Sequence, residues 1–432
     1  MFLISDDRLK LLGLSDYHAR LFGPLIRALV AVVVLAFGIH QLVVYREIAA
    51  TTISVRRMSD FSVFYESSRR VIESRGDPYG PAGTPNLNPP NFVVLMTPLA
   101  ALPPIPAFSI WATCSVISAL FALRIIFREL PLSLNMTTAT WTFVALAGAA
   151  ATGALLLTAQ IAWLLWGPVT WMWAAARKGQ WIPAAVVLGI TMSVKPFLGL
   201  LLLPFAFKRR WSALIVAVAV ALTSFSFGAV VLGFGAFVSW MRAIRGVYWA
   251  GYVFNSSIFG LSSRLLGEGP LPTWGLQPIT KAPAWIQPVW IVASVCLIAF
   301  TVRQLYGRYP TTAKSAERSV DIDREFATIL SSALLITPLG WIYYHFFLAG
   351  PVIAVFTQED WRRSLHWKPL VLVLSLTGLV LSPGRLMSGQ PSPWATLTIG
   401  SAYFWGLLGV WMCTVNRSMA ASTAAPRTTP RL

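Results

Sequence analysis

The sequence predicts an all-α polytopic membrane protein, and three observations carry that prediction. Of the 432 residues, 56% are hydrophobic and only 12% are charged. Soluble domains carry roughly a quarter charged residues, and a soluble chain of this length would still need a charged surface. The apolar residues come in blocks, at 25–44, 108–127, 214–231, 289–302 and 371–381, several of them near the ~20 residues with which a helix crosses a bilayer. The basic residues behind the net charge of +18 lie scattered at the ends of those blocks. Membrane topology puts them there, whereas a nucleic-acid-binding surface gathers them into a patch or stripe.

The elements follow in order along the chain. A mixed-charge segment over the first 23 residues precedes an apolar run at 25–45, which is too long for the ~7–15-residue core of a secretory signal. It is the first span, with the preceding segment on the cytoplasmic surface. About twelve full or partial membrane helices are expected, near 25–45, 106–127, 138–157, 161–176, 182–194, 196–207, 211–236, 282–303, 326–338, 342–357, 369–383 and 395–415. With the N-terminus inside, 22 of the 34 Lys and Arg fall at cytoplasmic ends, as the positive-inside rule requires. Segments 182–194 and 196–207 are joined by Lys195-Pro196, and each covers only about 20 Å of a ~30 Å hydrocarbon core. A further short apolar piece, 91–102, stands between two proline pairs. Broken helices are tolerated where they border a protein-enclosed or wet cavity, so these pieces predict a cavity on the outer face. One integral-membrane domain, 1–415, is expected, with outer loops 46–90 and 237–281 and an inner loop 304–325. The small, polar, proline-containing tail 416–432 reads as disordered and cytoplasmic. Cys114, Cys296 and Cys413 lie in apolar segments without metal-ligand spacing and read as small buried hydrophobes.

The candidate chemistry lies in the first outer loop. In DFSVFYESSRRVIESRGDPYGP, Phe61, Phe64, Tyr65, Ser68 and Ile72 share one helical face. On periodicity alone this is a surface amphipathic helix capped by Ser59 or Asp60.

The same stretch, followed by a proline pair and a short apolar helix, resembles bacterial glycosyltransferase family 87. That family includes mycobacterial transferases dependent on polyprenyl-phosphate mannose and polyprenyl-phosphate arabinose. The resemblance continues through Ala159-Gln160 (where the family usually has Gly-Gln), Lys195-Pro196, Lys208–Trp211, Asn255-Ser256-Ser257 and the run Thr337-Pro338-Leu339-Gly340-Trp341-Ile342-Tyr343-Tyr344. It covers about residues 58–350, and His345 follows the two tyrosines where some members carry His-His. The resemblance implies a GT-C membrane fold, with Asp60 at the position of the catalytic base. It also implies a substrate site at Tyr65, Gln160, Asn255, Tyr343 and Tyr344.

The residues can also be weighed as chemistry. Transfer from a lipid-phosphate sugar needs a base for the acceptor hydroxyl and a cation for the departing phosphate. Of the acids expected outside (Glu47, Asp60, Glu66, Glu73, Asp77 and Glu268), Asp60 stands at the membrane end of its helix, nearest the expected cavity. Asp77 precedes Pro78 and suits a turn, while Glu66 and Glu73 suit pairing with loop arginines. Lys195 interrupts an apolar stretch at a helix break, so it either holds phosphate or snorkels to the interface. Arg264 offers a second phosphate contact. His345 is either a hydrogen-bonded core histidine or a third such contact. Tyr343 and Tyr344 either stack on a sugar or join an interfacial aromatic belt. With no acidic cluster and no Gly-rich phosphate loop, neither metal nor cofactor is expected.

The expected activity is therefore transfer of a single sugar, mannose or else arabinose or another hexose, from a polyprenyl-phosphate donor to a glycan or glycolipid acceptor. The expected setting is the outer face of a bacterial plasma membrane, with membrane lipids as partners and no nucleic acid. A transporter or flippase of lipid-linked sugars is the alternative. It would need a polar path across the membrane, and the inner halves of the spans supply almost no ionisable residues for one.

The orientation is testable by cysteine labelling. Ser74→Cys should react with an impermeant thiol reagent only from outside, and Ser315→Cys only from the cytoplasm. Labelling of both from one side contradicts the topology.

Overall fold

Proline pairs set the first boundaries in the computed structural model of the chain. The structure describes residues 60–74, 76–80, 85–130, 142, 146, 149–274, 277–306, 315–358 and 392–415. The predicted spans 25–45 and 369–383, nearly half of 138–157 and the tail lie outside these residues. Helix α1 is Asp60–Ile72. α2 (Pro90–Ala100) and α3 (Pro104–Glu129) each begin on a proline preceded by another. A first-turn proline has its φ preset for helix, and the N–H it lacks would have had no partner there. α4 is Ala150–Thr158, α5 Ala162–Arg177 and α6 Trp181–Val194. A 3-10 stretch, Pro196–Leu201, then leads into α7, Leu202–Phe207. α8 (Trp211–Leu232) and α9 (Phe234–Arg245) are divided at Gly233, whose φ of 77° and ψ of 159° suit glycine almost alone.

Beyond α9 come α10 (Ile258–Leu266) and an antiparallel hairpin of β1 (Glu268–Trp274) and β2 (Gln277–Lys281). α11 (Ile286–Tyr306) and α12 (Ser315–Ile336) follow. A second long 3-10 stretch, Ile342–Leu348, runs into α13, Ala349–Gln358. The described chain ends with α14 (Pro393–Leu397), a 3-10 turn (Ile399–Ser401) and α15 (Ala402–Val415).

The class is all-α apart from this one hairpin among the described residues. Among the described residues, four stretches are long and apolar enough to cross a membrane: Pro104–Glu129, Trp211–Leu232, Ile286–Tyr306 and Pro393–Val415. Several expected segments change form. The piece predicted at 211–236 stops at Gly233, and 342–357 is half 3-10 helix. The one at 326–338 belongs to a longer helix that reaches back into the expected inner loop. The outer loop 237–281 is largely helix and hairpin. Cys114 and Cys296 are exposed on helix sides and only Cys413 is buried: apolar composition does not distinguish a helix face turned to lipid from one turned to protein.

α3 and α5 run side by side in the same direction. Trp111 meets Ala159, the Ser118 hydroxyl donates to Leu164 O at 2.9 Å, and Arg177 Nη1 donates to Glu129 O at 2.7 Å. α2 packs on α8 at Gly228, where a Cβ would stand 2.6 Å from the Asn91 backbone nitrogen. Asn91 Nδ2 donates to Ser193 O and Ser224 Oγ at 3.1 and 3.0 Å, tying α2 to α6 and α8.

Charged residues gather at the Arg177 end of α5. Lys178 Nζ lies 2.7 Å from Glu129 Oε1, Arg177 Nε 3.1 Å from Asp323 Oδ1, and Lys208 Nζ 2.9 Å from Glu325 Oε1. Trp173 Nε1 donates to Asp323 Oδ1 at 2.8 Å. Asp323 and Glu325, expected in a loop, are buried in α12. Since α5 has 16 residues, this cluster lies about 24 Å from the opposite end of the helix.

Candidate functional site

At that opposite end, several chain breaks converge, and each turns a polar side chain out of a helix. α6 stops at Val194 because Pro196 disfavours helical backbone in the residue before it. Lys195 is accordingly extended, with φ −129° and ψ 90°. α4 stops at Thr158 because Ala159 is left-handed, at φ 51° and ψ 43°. Trp111 Nε1 donates to Ala159 O at 3.1 Å and Gln160 N to Leu155 O at 3.2 Å, which fixes where Gln160 leaves the helix. Asp60 is the first described residue of α1.

Two further segments complete the ring. In the first, Asn86 Oδ1 accepts from the backbone N and the Nδ2 of Asn88 at 3.0 and 3.1 Å. The Tyr79 hydroxyl donates to Asn88 O at 2.8 Å and Trp240 Nε1 to Leu87 O at 3.1 Å. The second is the turn 337–341, which Asn255 clamps. Its Nδ2 donates to Ala250 O and Pro338 O, both at 2.8 Å, and its Oδ1 accepts from Gly340 N at 3.0 Å.

Together these segments enclose a cavity of about 460 Å³, bordered by Asp60, Asn88, Gln160, Lys195, Tyr343 and Tyr344 and walled by Phe197, Trp240, Trp249 and Trp341. Asp60 is the one carboxylate on its wall among the described residues. Burial pushes its carboxyl up to about 7, and the Lys195 ammonium pulls it back only in part. Lys195 Nζ stands 5.5 Å from the centre of the Tyr344 ring, within cation–π range. Tyr343 interacts with the Gln160 side chain and packs edge-on against the Tyr344 ring, with ring centres 4.7 Å apart.

The structure thus brings Asp60, Gln160, Lys195, Tyr343 and Tyr344 to one cavity. Tyr65, Asn255, Arg264 and His345 do not line it; they brace its frame. The Tyr65 hydroxyl donates to Leu102 O at 2.8 Å. Arg264 Nη1 donates to Tyr252 O and Asn255 O at 2.9 and 2.8 Å. His345 Nε2 is 2.9 Å from Ser256 Oγ, whose backbone N in turn donates to Gly340 O at 2.8 Å. Glu47 lies outside the described residues, and the remaining acids lie elsewhere. Glu66, Asp77 and Glu268 are exposed, Glu73 pairs with Arg69 at 2.9 Å, and Asp77 accepts from Tyr79 N within its turn. Sequence reasoning missed Asn88, Trp240 and Trp249. The available signals were the NLNPPN segment and the aromatic density of 240–254. No cluster of three or more His, Cys, Asp or Glu that could hold a metal ion occurs among the described residues.

Beside the cavity lies an apolar groove of about 470 Å³ between α2, α3, α5 and α6. Its wall includes Ile161 and Val194, the chain neighbours of Gln160 and Lys195. Phe64, Phe92 and Trp111 contact one another edge-on, with ring centres 5.1–6.5 Å apart. Phe64 faces the cavity, Phe92 and Trp111 the groove.

The model of glycosyltransferase family 87 matches residues 86–322, more than half of the chain. No curated protein and no solved structure matches it.

The left-handed Ala159 gives a stability test. A residue with a Cβ pays about 1–2 kcal/mol in this conformation, more than the extra chain entropy that glycine loses on folding, roughly 0.5–1 kcal/mol. Ala159→Gly should hold or raise the thermal unfolding midpoint, and Ala159→Val should lower it. A glycine variant clearly less stable than wild type contradicts this geometry.

Proposed function

The chain belongs to glycosyltransferase family 87, and on that premise we propose that the cavity transfers one sugar from a polyprenyl-phosphate donor to a hydroxyl of a glycan or glycolipid. The sugar is mannose, or else arabinose or another hexose, and the setting is the outer face of a bacterial plasma membrane. The observation that carries this reading is the placement of Asp60 and Lys195 on one cavity wall. Transfer needs a base on one side of the anomeric carbon and a cation on the other.

Asp60 accepts the proton of the acceptor hydroxyl as its oxygen attacks the anomeric carbon. The bond from that carbon to the phosphate oxygen breaks on the opposite face, and its electron pair leaves with the phosphate. The attack is in line, so configuration inverts. Lys195 stabilises the negative charge that develops on the leaving phosphate. A carboxyl raised to about 7 suits a base working near neutrality. Gln160, Tyr343 and Tyr344 hold the transferred sugar. Arg264, His345 and Asn255 position the wall rather than touch the phosphate. The apolar groove beside Lys195 takes the polyprenyl chain, so the donor reaches the cavity laterally from the lipid.

Asp60→Asn tests the central role. It keeps nearly the same volume but cannot take a proton, so turnover should fall about 10²–10⁴-fold, or ~3–5 kcal/mol of barrier, with insertion and donor binding near wild type. Below about pH 7 the wild-type carboxyl is protonated and cannot act as a base, so kcat/KM should rise with pH through about 7 and then level. An active Asn variant, or a flat wild-type profile from pH 5.5 to 8, contradicts the assignment.

A further inference from the structure

Two residues that border the cavity, Gln160 and Asn88, each carry a buried side-chain oxygen, Oε1 and Oδ1, without a hydrogen-bond partner among the described residues. Leaving such an acceptor unpaired is costly, so a pair of them on residues bordering one cavity suits the hydroxyl groups of a ligand. Gln160 belongs to the donor side already described, bordering the cavity with Tyr343, Tyr344 and Lys195. Asn88 has no part in that machinery.

Asn88 is 1% exposed, and its other polar atoms are fixed. Its N and Nδ2 donate to Asn86 Oδ1, and its carbonyl accepts from Tyr79. Exchanging the amide oxygen and nitrogen would set two acceptors against each other at Asn86, so the unpaired atom is the oxygen. The neighbouring wall is aromatic. Trp240 is held by its bond to Leu87 O, and Trp249, 4% exposed, borders the same cavity. Asn88 leads directly into α2, which packs along α1, the helix that carries Asp60. It therefore belongs to the base side of the cavity.

A fixed hydroxyl-accepting oxygen beside flat indole rings is the chemistry that binds a sugar ring, with its C–H face on the aromatic and a hydroxyl on the acceptor. We infer that Asn88, Trp240 and Trp249 form the subsite for the acceptor, and that the acceptor presents a sugar ring rather than a peptide or a simple lipid alcohol. Asn88 fixes the orientation of that ring through one hydroxyl other than the one that reacts. The name acceptor rests on the transferase reading; the presence of a sugar subsite does not.

Binding can be measured without catalysis. The full chain in lipid nanodiscs, free of glycoside detergent, would be titrated with methyl glycosides and biosides of mannose, glucose, galactose and arabinose by saturation-transfer NMR. At least one should bind, and one of its monodeoxy analogues should bind about three- to tenfold more weakly, the loss of a single hydrogen bond. Asn88→Ser keeps a donor for Asn86 but removes the amide oxygen. It should weaken the parent sugar by the same factor and no longer distinguish that deoxy analogue. In wild-type protein, a diazirine-bearing form of the glycoside should label residues 85–92 or 240–249. Absence of glycoside binding, unchanged deoxy discrimination in a folded Asn88→Ser variant, or labelling confined to other segments would each overturn the inference. If Asn88→Ser does not fold, the labelling result decides. Failure of sugar transfer with intact glycoside binding would count against the transferase reading instead.

Discussion

A helix that stops within a hydrocarbon slab leaves up to four backbone groups at its end without intrahelical partners, and lipid offers them none. The rest of this structure depends on how that constraint is met. α4 stops at a left-handed alanine, α6 at a proline, α12 at the turn before Gly340, and α2 begins on a proline pair. All of these ends come to one level, where they satisfy one another or border a shared cavity. Asn255 is the clearest case, since its one amide serves carbonyls and N–H groups from the 250 loop and the 337–341 turn. The cavity is where unfinished helices can be tolerated, and the side chains at those ends are its polar lining.

The two ends of the bundle use charge in opposite ways. At the Arg177 end, Glu129, Asp323 and Glu325 each have a cation within 3.1 Å, and these pairs join α3, α5, α7 and α12. At the cavity end, Asp60 and Lys195 border a shared space and perturb each other across it. A closed ion pair would leave no room for a reacting sugar. On the proposed reading, separation of the two charges leaves room for an acceptor that gives up a proton on one side and a donor whose phosphate departs on the other.

Much of this was legible in the sequence because chain breaks are written in residue types. Lys195-Pro196 and the proline pairs at 89–90 and 103–104 mark helix ends by local sterics, and a carboxylate at the start of an amphipathic loop helix marks Asp60. What could not be read was which polar residue faces the cavity and which braces it. Arg264, His345 and Asn255 look as functional in the sequence as Lys195 does, yet their partners include backbone groups and serines brought near by tertiary packing. Asn88 and Trp240 went unread for the converse reason. Their roles arise where the 85–89 segment meets α9, a contact between positions about 150 residues apart. Ala159, a departure from the usual glycine, becomes intelligible only with its φ of 51°, where glycine is the natural occupant.

The most direct measurement of the central claim is transfer by the purified chain in nanodiscs, using radiolabelled polyprenyl-phosphate mannose and polyprenyl-phosphate arabinose, each with and without EDTA. A lysine-held single phosphate predicts a labelled glycan or glycolipid product from one of these donors, formed equally well under chelation. Transfer only from a nucleotide sugar, or activity lost to EDTA and restored by magnesium or manganese, would contradict it.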